Sequence, residues 1–211
     1  MAEKIILKDN AQSFDLVIKD ASVGPCVIDL KSLYSDTGYF TFDPSYSTTA
    51  SCESKITYID GAKGILEYRG YPIEQLAEQS TYLEVAYLLF NGELPSSNIS
   101  LDEFRSQVKK NMTLPEGMSA IFTGFGNDAH PMAMLTTAVA ALSGSYHQGI
   151  NVRDKEHQKE FFFNILGKMP ILVASVFNHK HEDANVEYDE SLSYSENILR
   201  LFFGWKDGYE I

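Results

Sequence analysis

Five histidines are the residues best suited to acid–base or metal chemistry: His130, His147, His157, His179 and His181. Histidine titrates near neutral pH and a carboxylate can orient its ring, so Asp128 and His130 could form a general acid–base pair. Aspartate and proline both favour helix starts, however, and Pro131 follows directly. The preferred interpretation is that this segment caps the next helix.

A metal site is one interpretation of His179 and His181, which Glu182 and Asp183 follow. An i, i+2 spacing in a polar stretch does not preset a coordination shell. The pattern favours a solvated surface loop, and no metal site is predicted.

The two cysteines do not indicate a catalytic or metal site. Cys52 could be a nucleophile only with a lowered pKa and a nearby base, and the spacing specifies no base. A buried structural thiol is preferred at Cys52. Cys26 and Cys52 are too few and too far apart for a zinc site or a disulfide framework.

The chain is acidic, with a net charge of −12 from 17 basic and 29 acidic residues. This charge disfavours nucleic acids and anionic membranes as partners, because their phosphates would be repelled. The four arginines are scattered and form no paired clamp for an anionic substrate. No apolar signal core is present, and no apolar run approaches the roughly 20 residues of a membrane span, so a cytoplasmic protein is expected.

The elements that would position such groups begin with a small β-rich region. Lys4 to Lys8 and Phe14 to Lys19 predict a hairpin around residues 9–12, and Val27 to Leu30 and Tyr39 to Phe42 predict further short strands. An isolated hairpin is marginally stable in water. We therefore expect the region to pack on the helical body or on another subunit.

A second hairpin is predicted from strands at Lys55 to Ile59 and Ile65 to Tyr68. Helices are expected to open near Pro72 and at Thr81, where the Thr81 hydroxyl and the Glu84 carboxylate can form a capping box.

Two further capping boxes predict helix starts, at Ser100 with Glu103 and at Ser193 with Glu196. Between these helices, Lys155 to Lys168 has helical periodicity. Pro170 is expected to interrupt this helix and restart another, and residues 179–190 are expected to form a loop.

A stripe of small residues lies on the helix predicted after Pro131: Ala133, Thr137, Ala140 and Gly144. Their i, i+4, i+7, i+11 spacing lets another helix approach closely. Both intramolecular packing and a subunit contact are compatible with this spacing.

Three consecutive blocks resemble the start of citrate synthase. They are S-C-E-S-K-I-T-Y-I-D-G from Ser51, G-I-L-x-Y-R-G-Y-P-I from Gly64, and L-E-V-A-Y-L-L-x-x-G-E-L-P from Leu83. The likeness runs through Pro170 and, more weakly, to Ile211, and it covers the first half of the family. It implies a mostly helical homo-oligomer, a homodimer or a hexamer of dimers, whose full-length form condenses acetyl-CoA with oxaloacetate and hydrolyses the thioester.

The resemblance assigns no catalytic residue to this chain. The family's two catalytic histidines and its aspartate lie in the second half, and no motif here matches them. The N-terminal stretch and the T-F-D-P block from Thr41 are similar to bacterial hexameric members, which often respond to NADH. The resemblance implies no permanently bound cofactor, with acetyl-CoA as a substrate.

The same resemblance gives a candidate allosteric nucleotide site at Lys110, Asn111, Tyr146 and Lys168. Where that pocket carries Arg-His-Thr-Met, this chain has Lys-Asn-Met-Thr from Lys110, and Asn164 replaces an arginine. The cysteine of that pocket is also missing near Lys206. Lysine provides a point charge where arginine provides a bidentate fork, so weak or absent NADH regulation is expected.

The sequence therefore predicts a mainly α, citrate synthase-like protein, with a β-rich region at residues 1–48 and a helical part of the large domain at residues 49–211. A 2-methylcitrate synthase and a non-catalytic assembly or nucleotide-binding module remain alternatives. By itself, the 211-residue chain is expected to be inactive and to self-associate.

Overall fold

The computed structural model describes residues 3–9, 12–146, 149, 151–181 and 186–204. They belong to two compact units, Met1–Gln79 and Ser80–Ile211. Helices dominate the described residues, which confirms the mainly α fold. The division into residues 1–48 and 49–211 stays a prediction.

The first unit begins with an antiparallel sheet in the order β1-β2-β3. Its strands are β1 (Lys4–Asp9), β2 (Gln12–Lys19) and β3 (Val27–Ile28), and helix α1 (Leu33–Thr37) lies against β2. Asp9 pairs with Gln12, so the predicted hairpin is confirmed, while its turn residues Asn10 and Ala11 lie outside the described residues. Leu16 and Leu33 are the buried apolar residues of this sheet and helix.

The strand predicted at Tyr39 to Phe42 is wrong. Within the described residues no strand pairs with this segment, and β propensity alone does not supply a partner. Phe40 and Phe42 are instead 80% and 92% exposed, and the Phe40 ring stacks on that of Tyr34 with centroids 4.3 Å apart.

A second antiparallel sheet and a helix complete the first unit. They are β4 (Thr57–Asp60), β5 (Ile65–Tyr68), β6 (Tyr71–Pro72) and α2 (Ile73–Gln79), with strand order β4-β5-β6. The predicted hairpin is confirmed, although β4 begins at Thr57 instead of Lys55. The Asp60 carboxylate closes its turn by accepting a 3.1 Å hydrogen bond from the Lys63 backbone N–H.

The described part of the second unit contains six helices. They are α3 (Tyr82–Asn91), α4 (Asn98–Lys110), α5 (Ala120–Thr123), α6 (Pro131–Tyr146), α7 (Lys155–His181) and α8 (Tyr194–Phe203). The capping boxes predicted at Thr81 and Ser193 are confirmed. The one predicted at Ser100 is wrong, because the hydroxyl of Ser97 accepts from the Ser100 N–H and caps α4 three residues earlier.

Helix α7 runs without a break through Pro170, so the predicted interruption is wrong. It also extends to His181, which corrects the loop predicted from His179 onwards; Glu182 and Asp183 lie outside the described residues. Proline has no N–H for the carbonyl four residues earlier, that of Leu166. The Tyr194 hydroxyl donates a 2.9 Å hydrogen bond to this carbonyl instead.

Two apolar clusters share α7. One joins α5, α6 and the second half of α7 around Met134 and Leu172; the other joins α3, α4, α8 and the first half of α7 around Phe104 and Phe163. By length and composition α7 could cross a membrane, which differs from the expectation that no apolar run approaches the length of a span. Half of its most apolar stretch is buried inside this protein, as in the core helix of a globular protein.

Candidate functional site

The C-terminal end of α4 lies directly on α7 at Gly167. A Cβ atom built on Gly167 would lie 2.8 Å from the carbonyl carbon and the Cβ of Asn111, and 2.8 Å from the carbonyl oxygen of Val108. Only glycine leaves room for this approach. The crossing places the end of α4 within reach of the next residue on α7, Lys168.

Lys168 is almost fully buried, at 2% exposure, and its ammonium is held by neutral groups. The Nζ atom donates to the Asn111 carbonyl oxygen at 3.1 Å and to Asn164 Oδ1 at 2.9 Å. It also lies 5.2 Å from the centre of the Tyr146 ring. Within the described part of the chain, no carboxylate pairs with it.

The electrostatics of this site follow from burial and from the end of α4. Burial lowers the pKa of Lys168, because removal from water disfavours the charged amine. The negative end of the α4 dipole and the face of the Tyr146 ring offset part of that cost. Burial, with a smaller contribution from the Glu160 charge, raises the pKa of Tyr146.

Asn164 occupies the position that the resemblance gives to an arginine. Its Nδ2 donates to the Glu160 carbonyl at 3.1 Å while its Oδ1 accepts from Lys168. Asn111 likewise uses its Nδ2 within α4, donating to the Gln107 carbonyl at 2.9 Å. The polar groups at the crossing thus satisfy one another.

Three of the four candidate nucleotide residues meet at this crossing: Asn111, Tyr146 and Lys168. The fourth, Lys110, is exposed and lines an open groove of about 760 Å³ between α3, α4 and the start of α7. Lys159 lines the same groove, and Asp102 and Glu103 also lie along it. The two lysines and the two carboxylates balance in formal charge, so the groove gives no net electrostatic preference for anions.

Sequence reasoning did not identify Gly167 or Asn197 as organising residues. Asn197 is fully buried; its Oδ1 accepts from the Asp189 N–H at 2.8 Å and its Nδ2 donates to the Asp189 carbonyl at 2.8 Å. A glycine inside an apolar helix was the available signal for Gly167, since it costs about 1 kcal/mol against alanine unless close packing requires it.

Two of the histidine candidates, His130 and His179, make contacts that hold neighbouring segments together. His130 Nδ1 accepts a 3.2 Å hydrogen bond from the Met132 N–H, which confirms that this segment caps α6. His179 Nε2 lies 3.2 Å from the Phe125 carbonyl oxygen, and the Lys180 ammonium donates to the Ala129 carbonyl at 2.9 Å. The end of α7 therefore holds the loop before α6.

No set of three metal-binding side chains occurs in the described ranges. His181 packs on the Phe177 ring with centroids 4.3 Å apart, and His147 lies outside the described residues. Cys52 is exposed, so the buried thiol expected there is wrong: it lies in an irregular segment before β4 with no apolar cover.

Comparisons by sequence and by structure both match this chain to citrate synthases. A sequence model of the family described as "Citrate synthase, C-terminal domain" matches residues 45–210. The citrate synthase structure from Thermotoga maritima is 27% identical with a TM-score of 0.66; the match covers 79% of this chain and 43% of that one. The citrate synthase from Pyrobaculum aerophilum is 29% identical with a TM-score of 0.66, over 82% of this chain and 46% of that one.

A third structure is citrate synthase from Thermoplasma acidophilum, solved as a ternary complex with carboxymethyl coenzyme A and oxaloacetate. It is 27% identical with a TM-score of 0.68, over 74% of this chain and 41% of that one. The chain spans less than half the length of each of these three structures.

Proposed function

The chain belongs to the citrate synthase family, and on that premise we propose that it is part of an enzyme that condenses acetyl-CoA with oxaloacetate and hydrolyses the thioester to citrate and CoA. The match over residues 45–210 carries this proposal. The CoA analogue and oxaloacetate bound to the Thermoplasma relative support the substrate classes. We place this reaction in the cytoplasm, at the entry to the tricarboxylic acid cycle.

We assign the chain to the first half of such an enzyme. The matching model is named for the C-terminal domain of the family, but the motifs from Ser51, Gly64 and Leu83 resemble the beginning of the family in their order. The reaction needs a carboxylate to deprotonate the acetyl methyl group and two histidines, one at the enolate and one at the oxaloacetate carbonyl. We place all three in the remainder of the enzyme.

The test compares the 211-residue chain with a form extended by the coding sequence downstream of Ile211. CoA release is followed by thiol titration with acetyl-CoA and oxaloacetate, and a reaction without oxaloacetate controls for thioester hydrolysis. We expect turnover only in the extended form. Turnover by the rigorously purified short chain would overturn the assignment of the catalytic groups. Absence of a family continuation downstream would instead favour a non-catalytic module.

The acyl specificity is tested in the same assay with propionyl-CoA. We expect the extended form to have a higher kcat/KM for acetyl-CoA. A preference for propionyl-CoA would identify a 2-methylcitrate synthase.

We propose that NADH regulates the enzyme weakly or not at all. Lys168 is bound by Asn111 and Asn164, and its buried ammonium is not presented to a phosphate. Lys110 and Tyr146 retain a polar group for a nucleotide, but without an arginine fork. Fluorescence titration of the extended form with NADH should give weak binding and little inhibition. Tight stoichiometric binding that a Lys110→Met variant weakens would overturn this proposal.

We propose that the enzyme assembles as a homodimer or a hexamer of dimers through α6. Ala133, Thr137, Ala140 and Gly144 are all exposed along this helix. The Thr137 hydroxyl donates to the Ala133 carbonyl at 2.9 Å, so its hydrogen bond is satisfied within α6. The stripe therefore presents small side chains to a neighbouring helix at little desolvation cost.

A further inference from the structure

The hydrogen bond between the Tyr194 hydroxyl and the Leu166 carbonyl joins two helices, α8 and α7, that are separate in the sequence. An uninterrupted helix would use the N–H of residue 170 to satisfy the Leu166 carbonyl, and proline lacks that N–H. Tyr194, the first residue of α8, donates its hydroxyl to this carbonyl at 2.9 Å. The tyrosine is 9% exposed, so water is a poor substitute for its hydroxyl.

The C-terminal end of α8 is also hydrogen-bonded to α7. Asn178 Nδ2 of α7 donates to the Leu201 carbonyl at 3.1 Å. Helix α8 is thus tied to α7 near both of its ends, once by its own side chain and once through its main chain. In addition, the Tyr194 ring stacks on that of Tyr82 at the start of α3, with centroids 5.0 Å apart.

Residues 186–193, which precede α8, are hydrogen-bonded to α8 and to α4. Asn197 of α8 binds both backbone groups of Asp189. The Arg200 Nε donates to the Glu187 carbonyl at 3.2 Å. Lys109 of α4 donates to the Glu190 carbonyl at 2.9 Å, so the segment bridges α8 and the end of α4.

We propose that residues 186–203 form a strap that opens and closes as one unit, with Tyr194 as a latch whose acceptor is created by Pro170. Breaking the latch leaves a buried carbonyl without its donor while the strap is closed. The closed state is then disfavoured relative to the open one. Restoring an N–H at residue 170 satisfies Leu166 within α7 and makes the latch dispensable.

Hydrogen exchange measured by mass spectrometry tests the strap on the 211-residue chain. In Tyr194→Phe, peptides across residues 186–203 should exchange about 5- to 150-fold faster, the range that corresponds to one unsatisfied buried group. Peptides of α6 should keep their rates. In the Pro170→Ala background, the same Tyr194→Phe change should have little effect. Tyr87→Phe is the matched control, since this half-buried ring lies in the same aromatic cluster and its hydroxyl bonds to no described residue.

Equal acceleration in both backgrounds would overturn the role of Pro170, and acceleration confined to α8 would overturn the strap as one unit. Unchanged exchange in Tyr194→Phe would overturn the latch itself. If Tyr194→Phe fails to fold, recovery of folding in the double variant supports the latch, and failure of the double variant overturns it.

Discussion

Replacing Gly167 with alanine should push α4 away from α7 and destabilise the second unit. The added methyl group would lie 2.8 Å from three atoms of Asn111 and Val108, two of them backbone atoms that cannot rotate away. Ordinary contact begins at 3.4 Å, so the helices must separate by about 0.6 Å. A shift of that size along the Lys168–Asn111 hydrogen bond would stretch it from 3.1 Å to about 3.7 Å, which is too long for a hydrogen bond.

The expected cost follows from these two effects. Overpacking costs about 1–3 kcal/mol, and loss of a hydrogen bond from a charged group costs about 1.5–3 kcal/mol. Alanine recovers about 1 kcal/mol of helix propensity over glycine. The net loss for Gly167→Ala is therefore about 1.5–5 kcal/mol in the free energy of unfolding.

Urea unfolding followed by far-UV circular dichroism measures this loss. Gly144→Ala on α6 controls for helix propensity, because a Cβ there meets no atom of the chain within 4 Å. Since Gly144 belongs to the small-residue stripe of α6, both variants are unfolded at a protein concentration at which light scattering shows a monomer. The control should stabilise the protein by up to about 1 kcal/mol. A Gly167→Ala variant that is as stable as the Gly144→Ala variant would refute the close approach of α4 to α7.

Three other outcomes are expected. Lys168→Met should lower the free energy of unfolding by about 1–3 kcal/mol in the same assay, because the Asn111 and Asn164 oxygens lose their donor; unchanged stability would show that water replaces the ammonium. Burial raises the pKa of Tyr194, so its contribution to stability is complete below about pH 10, the pKa of an unfolded tyrosine, and is lost as pH rises above that value. Tyr194→Phe should therefore flatten the alkaline loss of stability, and an identical pH profile would contradict this cause. Ala140→Leu should reduce the association of the chain measured by light scattering, and unchanged association would exclude the small-residue stripe of α6 from the interface.

Several local features of the fold were predictable from sequence, whereas features that depend on distant partners were not. The capping boxes at Thr81 and Ser193 involve residues three apart, so their chemistry is visible in a short window. At the start of α4, Ser97 and Ser100 have the same chemistry three residues apart, and the sequence does not decide between them. Tyr39 to Phe42 has the composition of a strand, but a strand also requires a neighbour.

The same distinction applies to the candidate site and to Pro170. The resemblance to citrate synthase supplied Asn111 and Lys168, but not the hydrogen bond between them, which joins residues 57 positions apart. The rule that proline ends a helix failed at Pro170 because a hydroxyl from residue 194 supplies the missing donor. The sequence pattern within α7 does not show that residue 194 supplies this donor.

Helix α7 holds its neighbours through their main chains. Lys168, Asn178 and Lys180 each donate to a backbone carbonyl of another segment, at Asn111, Leu201 and Ala129 respectively. Every residue type offers the same carbonyl, so mutational drift at these acceptor positions leaves the docking bonds intact. Substitutions are therefore expected to disturb the docking more at the donors, and at residues such as Gly167 that set the spacing, than at the acceptors. A chain built in this way can diverge far in sequence while its helices keep their arrangement.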